Sequence, residues 1–202
     1  MGKRILIACE FSGVVREAFK KRGWDAWSCD LMDTLIPGQH IKDDVLNHLD
    51  EGWDMVIAHP PCTHLAVSGA KYFKQKQADG RQQAAIDFFM NFTKLKCERV
   101  CIENPVGIMS KLYRKPNQII QPWQFGHPES KKTCLWLKGL PLLQSTFVLP
   151  KPANGLWENQ TTNGQNKLLV NGKWIAFNDP RTPMYRGITY QGIADAMASQ
   201  WG

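Results

Sequence analysis

Four groups of residues in this 202-residue chain have the types and spacing from which chemistry is built. The first is Pro60-Pro61-Cys62-Thr63, directly after the apolar run Asp54-Met55-Val56-Ile57-Ala58. Two prolines stop a buried strand abruptly, because neither donates to a ladder or continues a helix. The cysteine beyond them sits on a stiff loop at the carboxyl edge of a predicted sheet, where open α/β sheets place their ligands. There it can become a thiolate and attack an electron-poor carbon. Alone, Cys62 is equally readable as a small buried hydrophobe. The other groups give it company: the turn Phe11-Ser12-Gly13 after a first strand, the acid Asp30 at the end of a second, and Glu103-Asn104-Pro105 at the end of another. A small turn before a helix lets backbone approach a ligand, and an acid at a strand end can accept from ribose hydroxyls. Neither the phosphate-loop pattern nor the full dinucleotide fingerprint is present.

The elements that must position these residues follow from periodicity. Lys3 to Cys9 reads as a buried strand, and Val14 to about Arg22 as a helix with Val14, Val15, Ala18 and Phe19 at a 3.6 period, stopped by Gly23. Asp25 to Cys29 is a second strand. Asp44 to Leu49 is a short helix, and Met55 to Ala58 a strand. Arg81 to Leu95 is an amphipathic helix with Ala84, Ala85, Phe88, Phe89 and Phe92 on one face, followed by a strand from Arg99 to Ile102. This alternation implies an α/β fold, a mostly parallel sheet with helices on both faces. Beyond Asn117 the strands Gln118–Phe125, Lys132–Lys138 and Thr146–Leu149 are expected. Residues 151–187 form a polar, irregular insertion with a hairpin around Asn171-Gly172, and Tyr190 to Trp201 a last helix with Ile193, Ala194, Met197 and Trp201 inward. The whole of 1–202 is expected to be one domain.

A net charge of +7 favours a polyanionic partner, although a solvated basic surface gives the same balance. No apolar run approaches the ~20 residues of a membrane span, and the start lacks a signal-peptide pattern, so a cytoplasmic protein is expected. The six cysteines show no Cys-x-x-Cys spacing, and reduced thiols are the expectation. His59, Cys62 and His64 lie too close around a double proline for one tetrahedral metal site, so no metal is expected.

Taken together, Phe11-Ser12-Gly13, Pro61-Cys62 and Glu103-Asn104 resemble the motifs of the DNA cytosine-5 methyltransferases. Ala8-Cys9-Glu10-Phe11-Ser12-Gly13, Ala58-His59-Pro60-Pro61-Cys62-Thr63 and Gln121-Pro122-Trp123-Gln124-Phe125-Gly126-His127 are similar to a small phage- or prophage-type branch acting in the bacterial host cytoplasm. The resemblance covers nearly the whole chain, most clearly residues 4 to 140. It implies a Rossmann-like S-adenosylmethionine-dependent methyltransferase fold and methyl transfer to carbon 5 of cytosine in DNA. Cys62 would add to carbon 6, a protonated Glu103 would hold N3, and Asn104 would position the Glu103 loop. Glu10, Phe11, Ser12, Gly13, Asp30, Leu31, Asp44 and Pro60 would bind the cofactor, and Lys131, Lys132 and Thr133 the nucleic acid. Asp44 is equally readable as the N-cap of its short helix.

The chain departs from the family pattern in three places. Val15 stands where the family carries a second glycine, and Glu-Asn-Val is Glu-Asn-Pro here. Only residues 151–187 lie where a large target-recognition region belongs, so a homodimer or partner subunit is a candidate source of recognition. A single copy is then expected to bind mostly through phosphates, with salt-sensitive affinity. His59, His64 and His127 flank the site as tuning groups or as satisfied loop residues. Trp123, Trp136 and Trp201 are expected in the core, and Trp157 and Trp174 either there or stacked on a base. Three alternatives stay open: an amino-group methyltransferase, whose motif also places two prolines after this strand but follows them with an aromatic; a non-catalytic binder that keeps the fold; and RNA or a free nucleotide as substrate.

Overall fold

Short apolar runs bounded by turn residues become the strands of the computed structural model, which describes residues 2–170, 172–176 and 178–202. Strands β1 (Arg4–Ala8), β2 (Asp25–Asp30), β3 (His40–Lys42), β4 (Met55–Ala58), β5 (Val100–Pro105), β6 (Gln118–Ile120) and β7 (Thr133–Lys138) form one sheet in the order β3-β2-β1-β4-β5-β7-β6. The pairs from β3 to β5 are parallel, and β7 runs antiparallel to both β5 and β6. The helices are α1 (Val14–Lys20), α2 (Phe73–Ala78), α3 (Arg81–Thr93), α4 (Met109–Leu112), α5 (Thr182–Arg186) and α6 (Gln191–Trp201). A separate two-stranded sheet pairs β8 (Lys167–Val170) with β9 (Lys173–Ala176).

The sheet is covered on both faces because β4 and β1 beyond Arg4 are apolar and buried at every position. In β1, Ile5 and Ile7 pack with Val15 and Phe19 of α1 and with Ile193, Met197 and Trp201 of α6. Leu6 and Ala8 point the other way, toward Phe89 and Phe92 of α3 and Met109 of α4. Such near-continuous apolar runs are what a parallel sheet buried on both sides requires. Phe89 meets Trp136 of β7 edge-on at 5.3 Å between ring centroids, a pairing that adds about 0.5–1.5 kcal/mol beyond area burial. Successive crossovers run from β1 outward to β3 and, in the opposite direction, from β4 to β5. The order therefore reverses between β1 and β4, and the crevice beyond their carboxyl ends is the place where such sheets take ligands.

Several expectations shift. The stretch 118–125 is a strand only to Ile120 and then a 3-10 turn, Pro122–Gln124, because Pro122 cannot donate to a ladder. Residues 146–149 form no strand, and Phe147 makes a single bridge to Phe125. The expected helix at 44–49 is a 3-10 turn, Val45–Asn47. On α3, Ala84 is exposed and Gln82 is buried in its place, with Phe89, Phe92 and Leu95 completing the inward face. The short β3, α2, α4 and α5 add to the expected elements. The hairpin forms with Leu168 opposite Ile175, and Asn171 of its turn lies outside the described residues. Among the described residues no helix is long and apolar enough to cross a membrane. All six cysteines are free thiols.

Candidate functional site

Register brings the central residues together. Val56, Ile57 and Ala58 of β4 lie opposite Val100, Cys101 and Ile102 of β5. One step further along the same parallel register sets His59 beside Glu103. The His59 amide donates to the Ala8 carbonyl at 2.9 Å, which extends the ladder to β1 and fixes the residue at the switch point. Its ring Nδ1 pairs with Glu103 Oε2 at 3.1 Å, with the side chains only 8% and 17% exposed. The other ring nitrogen, Nε2, is buried and finds no hydrogen-bond partner among the described residues. Next to Glu103, the buried Asn104 donates from Nδ2 to the Pro60 carbonyl at 2.7 Å, tying the end of β5 to the double-proline loop.

Cys62 lies on that loop, half-buried, with its carbonyl accepting from the Leu65 and Ala66 amides. Thr63 is pinned from the far side by the buried Lys76, whose ammonium donates to the Thr63 carbonyl at 2.6 Å. Burial pushes the Cys62 thiol up and the Glu103 carboxylate pushes it further, while Arg186 and Lys131 pull it back. Burial also works to raise Glu103, but the His59 hydrogen bond and the Lys131 ammonium outweigh it and hold the carboxyl below its usual range. In the free chain the site therefore holds a protonated thiol beside an ionised Glu103. Before any base is bound, the carboxylate that the resemblance would have protonated has His59 and Lys131 favouring its charged form.

The β1–β2 side of the edge is arranged differently. The Glu10 carboxylate is buried and accepts from the Val15 amide at 2.7 Å, the Arg16 amide at 3.2 Å and the Ser12 hydroxyl at 3.1 Å, so it caps the start of α1. Its charge lies within reach of His59, which lowers the Glu10 carboxyl against a larger upward push from burial. Gly13 has a left-handed φ of 76°, and a side chain there would meet the Arg16 guanidinium and Ile36. Arg16 is fully buried and donates to Ser28, Thr34, the Ile36 carbonyl and Glu17, folding residues 34–38 over the turn. Phe11 is buried under Gly187. Asp30 stands at the end of β2 with one oxygen accepting from the Met32 amide, beside Leu31, which is 71% exposed. Asp44 is an N-cap, accepting from the Leu46 amide. Asp30 and the exposed Leu31 stand at the end of β2, and Pro60 is buried beyond β4 with its carbonyl held by Asn104, while Glu10, Phe11, Ser12, Gly13 and Asp44 are engaged within the chain.

A cleft of about 570 Å³ is lined by Pro105, Lys131, Lys132, Leu168, Arg186 and Tyr190 among others, and it reaches the site through Lys131 and Arg186, whose charges act on Cys62. Lys131 donates to the Arg186 carbonyl at 3.0 Å and stands over the Tyr190 ring, while Lys132 is exposed. Thr133 is buried in β7 with its hydroxyl donating to the Lys131 carbonyl, so it serves the strand and not the cleft. Tyr190 donates to Glu129 at 2.8 Å. Arg186 was not expected here. Its only mark in the sequence is a cation before Gly187, and the fold alone returns that turn to the edge. His127 accepts from the Gly192 amide through Nε2 and so anchors α6. Trp157 stacks on Trp123 at 5.6 Å, both half-buried, so that Trp123 lies outside the expected core; Trp136 and Trp201 are buried as expected. Among the described residues no cluster of three or more metal-ligating side chains occurs. Comparison of the chain with models of protein families and with curated proteins gives no match.

Proposed function

We propose that the chain transfers a methyl group from S-adenosylmethionine to carbon 5 of cytosine in DNA, through a covalent bond from Cys62. One observation carries this reading. Cys62 and Glu103, forty-one positions apart, come to the same sheet edge, where Asn104 beside Glu103 ties down the double-proline loop that carries Cys62 and where His59 pairs with Glu103. A nucleophile and an acid–base group at one edge are what addition to an electron-poor ring needs. The mostly parallel sheet and its switch point support the methyltransferase-like form of the Rossmann reading.

The edge fits the cofactor in part. Asp30 offers an acceptor beside the exposed apolar surface of Leu31 and Met32, suited to a ribose and a purine. Asp30, Leu31 and Pro60 are the residues that would hold it. The Gly13 turn, covered by Ile36 and Arg16, is not an open cradle. S-adenosylmethionine supplies, when bound, an electrophilic methyl group. The chain's own residues do the rest. The Cys62 S–H bond breaks as Sγ bonds to carbon 6 and the ring electrons move toward carbon 5, and the proton released is balanced by one taken up at N3 on the Glu103 side. After transfer a base removes the carbon 5 proton, and the sulfur leaves. Exposed Lys71 and Lys74, on the segment after Cys62, and Lys132 at the cleft supply phosphate contacts, so affinity should fall steeply with salt.

The covered Gly13 turn favours a second reading, a non-catalytic binder of nucleic acid. Both are tested by incubating the chain with DNA and isotope-labelled S-adenosylmethionine and analysing the hydrolysed nucleosides by mass spectrometry. Labelled 5-methylcytosine, lost in Cys62→Ala, supports the proposal. Label on an exocyclic amine would move the reading to amino-group transfer. DNA binding without any labelled nucleoside would leave the binder.

A further inference from the structure

We propose that Lys76 is a positioning residue for Cys62: its buried ammonium holds the loop that carries the sulfur, and the rate of sulfur attack depends on that hold. The inference rests on the cytosine reading above and extends it to a residue outside the set that would touch cofactor or base. Its ground is a run of hydrogen bonds. Residues 62–66 form a tight turn in which the Cys62 carbonyl accepts from the Leu65 and Ala66 amides at 3.0 and 2.9 Å. Two carbonyls inside that turn each take a buried side chain from the segment that follows. Lys76 Nζ of α2 donates to the Thr63 carbonyl at 2.6 Å, and Gln82 Nε2 of α3 to the His64 carbonyl at 3.2 Å. The next carbonyl, that of Leu65, accepts from the Ile108 amide at 3.0 Å. On the other side of Cys62, Asn104 holds the Pro60 carbonyl. Cys62 thus lies between two anchored stretches of backbone.

The burial of Lys76 singles it out. Lysine is almost never buried without a partner of opposite charge, because taking an ammonium out of water is costly. Lys76 is only 7% exposed, yet among the described residues it forms no ion pair. The Thr63 carbonyl is its one hydrogen-bond acceptor among them, and the centroids of the Tyr72 and Phe73 rings each lie 6.0 Å from the ammonium. Gly69 packs close to the bond, since a Cβ there would stand 3.1 Å from Lys76 Nζ and 3.5 Å from the Thr63 carbonyl oxygen. A left-handed Gly80, with φ 79°, turns α2 into α3, and the two helices deliver Lys76 and Gln82 to adjacent carbonyls of the same turn. Attack on a ring carbon requires the sulfur to be placed closely, and a misplacement of 1 Å can cost about 10²-fold in rate. A short bond from a charged donor, backed by a second from a neutral one, supplies that placement from outside the reacting groups.

The test pairs two measurements on the full chain, comparing the wild type with Lys76→Met and Gln82→Met. The first is amide hydrogen exchange by nuclear magnetic resonance at Leu65 and Ala66, whose bonds report the turn directly, with the amides of β1 and β4 as the reference for global opening. The second is single-turnover adduct formation on DNA containing 5-fluorocytosine with S-adenosylmethionine present. Varying the DNA concentration separates the maximal rate from half-saturation. We expect Lys76→Met to speed exchange at Leu65 and Ala66 about 10-fold beyond any change in β1 and β4. Its maximal adduct rate should fall about 10²-fold with half-saturation little changed. Gln82→Met removes no charge and should move both readouts the same way, the rate by about 10-fold. A wild-type maximal rate in Lys76→Met overturns the proposal. So does a loss confined to half-saturation, which makes Lys76 a phosphate contact, or exchange that rises equally in β1 and β4, which makes it a general stabiliser. Should Lys76→Met fail to fold, a wild-type rate in Gln82→Met overturns the dependence of attack on the held turn. A wild-type chain that forms no adduct overturns the cytosine reading and the catalytic part of the proposal together; exchange at Leu65 and Ala66 then decides alone whether Lys76 holds the turn.

Discussion

The two halves of the sheet's carboxyl edge differ in how far their polar groups satisfy one another. On the β1–β2 half, Glu10 is matched by the amides of α1 and by Ser12, Arg16 by four acceptors, and Asp44 by the turn it caps. On the β4–β5 half, His59 keeps an unpartnered nitrogen, Cys62 is held as a thiol against its neighbours, and two cations converge on it. Internal satisfaction is the mark of a scaffold, because buried polar groups without partners are costly. Unmet demand is tolerated where a ligand or a reaction supplies the partner. The contrast separates the residues that shape the edge from those that act there.

That contrast can be broken by substitutions that should separate activity from stability. The largest expected effect is on chemistry: Cys62→Ala and Glu103→Gln should abolish methyl transfer while shifting the urea midpoint little. Arg16→Met should do the reverse first, destabilising the chain by about 3–5 kcal/mol, the range for removing one partner from a buried charged network. A comparable loss of stability in Cys62→Ala, or none in Arg16→Met, would erase the distinction. Asn104→Ala belongs to both halves of the contrast. It should cost about 1–3 kcal/mol by leaving the Pro60 carbonyl unmatched, and it should slow transfer by freeing the Cys62 loop, both read from urea melts and initial rates.

Smaller effects sharpen the same line. Trp157→Ala should cost about 0.5–1.5 kcal/mol through the Trp123 stack while leaving adduct formation intact, which distinguishes the observed stack from a base-binding platform. The smallest is a pH effect at His127. Burial lowers this histidine below its ordinary value, with Asp195 partly opposing, and its Nε2 must stay unprotonated to accept from Gly192. The folded value lies below the unfolded one, so its contribution is complete above the ordinary histidine range and fades as pH falls through the folded value. Urea midpoints between pH 8 and 5 should therefore fall, and His127→Gln should flatten part of that slope.

Much of the fold was legible because buried parallel strands announce themselves. β1 and β4 follow runs of consecutive apolar residues, and α6 follows a clean helical period from Ile193 to Trp201. β3 was not legible, since His40–Lys42 is short and polar and forms only by pairing with Ser28–Asp30. On α3 the period was right but the face was set by tertiary contact, which buries Gln82 through its bond to the His64 carbonyl and leaves Ala84 outside. The positions of Cys62, Glu103 and Asn104 at one edge followed from strand ends alone. Their partners did not. The His59–Glu103 pair depends on register, Arg186 on the return of a segment more than 120 residues from Cys62, and the closure of Gly13 on the buried Arg16, a residue type mostly found on surfaces.

The most direct measurement is covalent trapping on DNA containing 5-fluorocytosine with S-adenosylmethionine present and Cys62→Ser as the control. Fluorine at carbon 5 cannot be removed as a proton, so an attacking sulfur stays bound. We expect a denaturation-resistant protein–DNA adduct that is absent in Cys62→Ser. No adduct from the wild type, or an equal adduct from the serine variant, would contradict the assignment of Cys62 as the nucleophile.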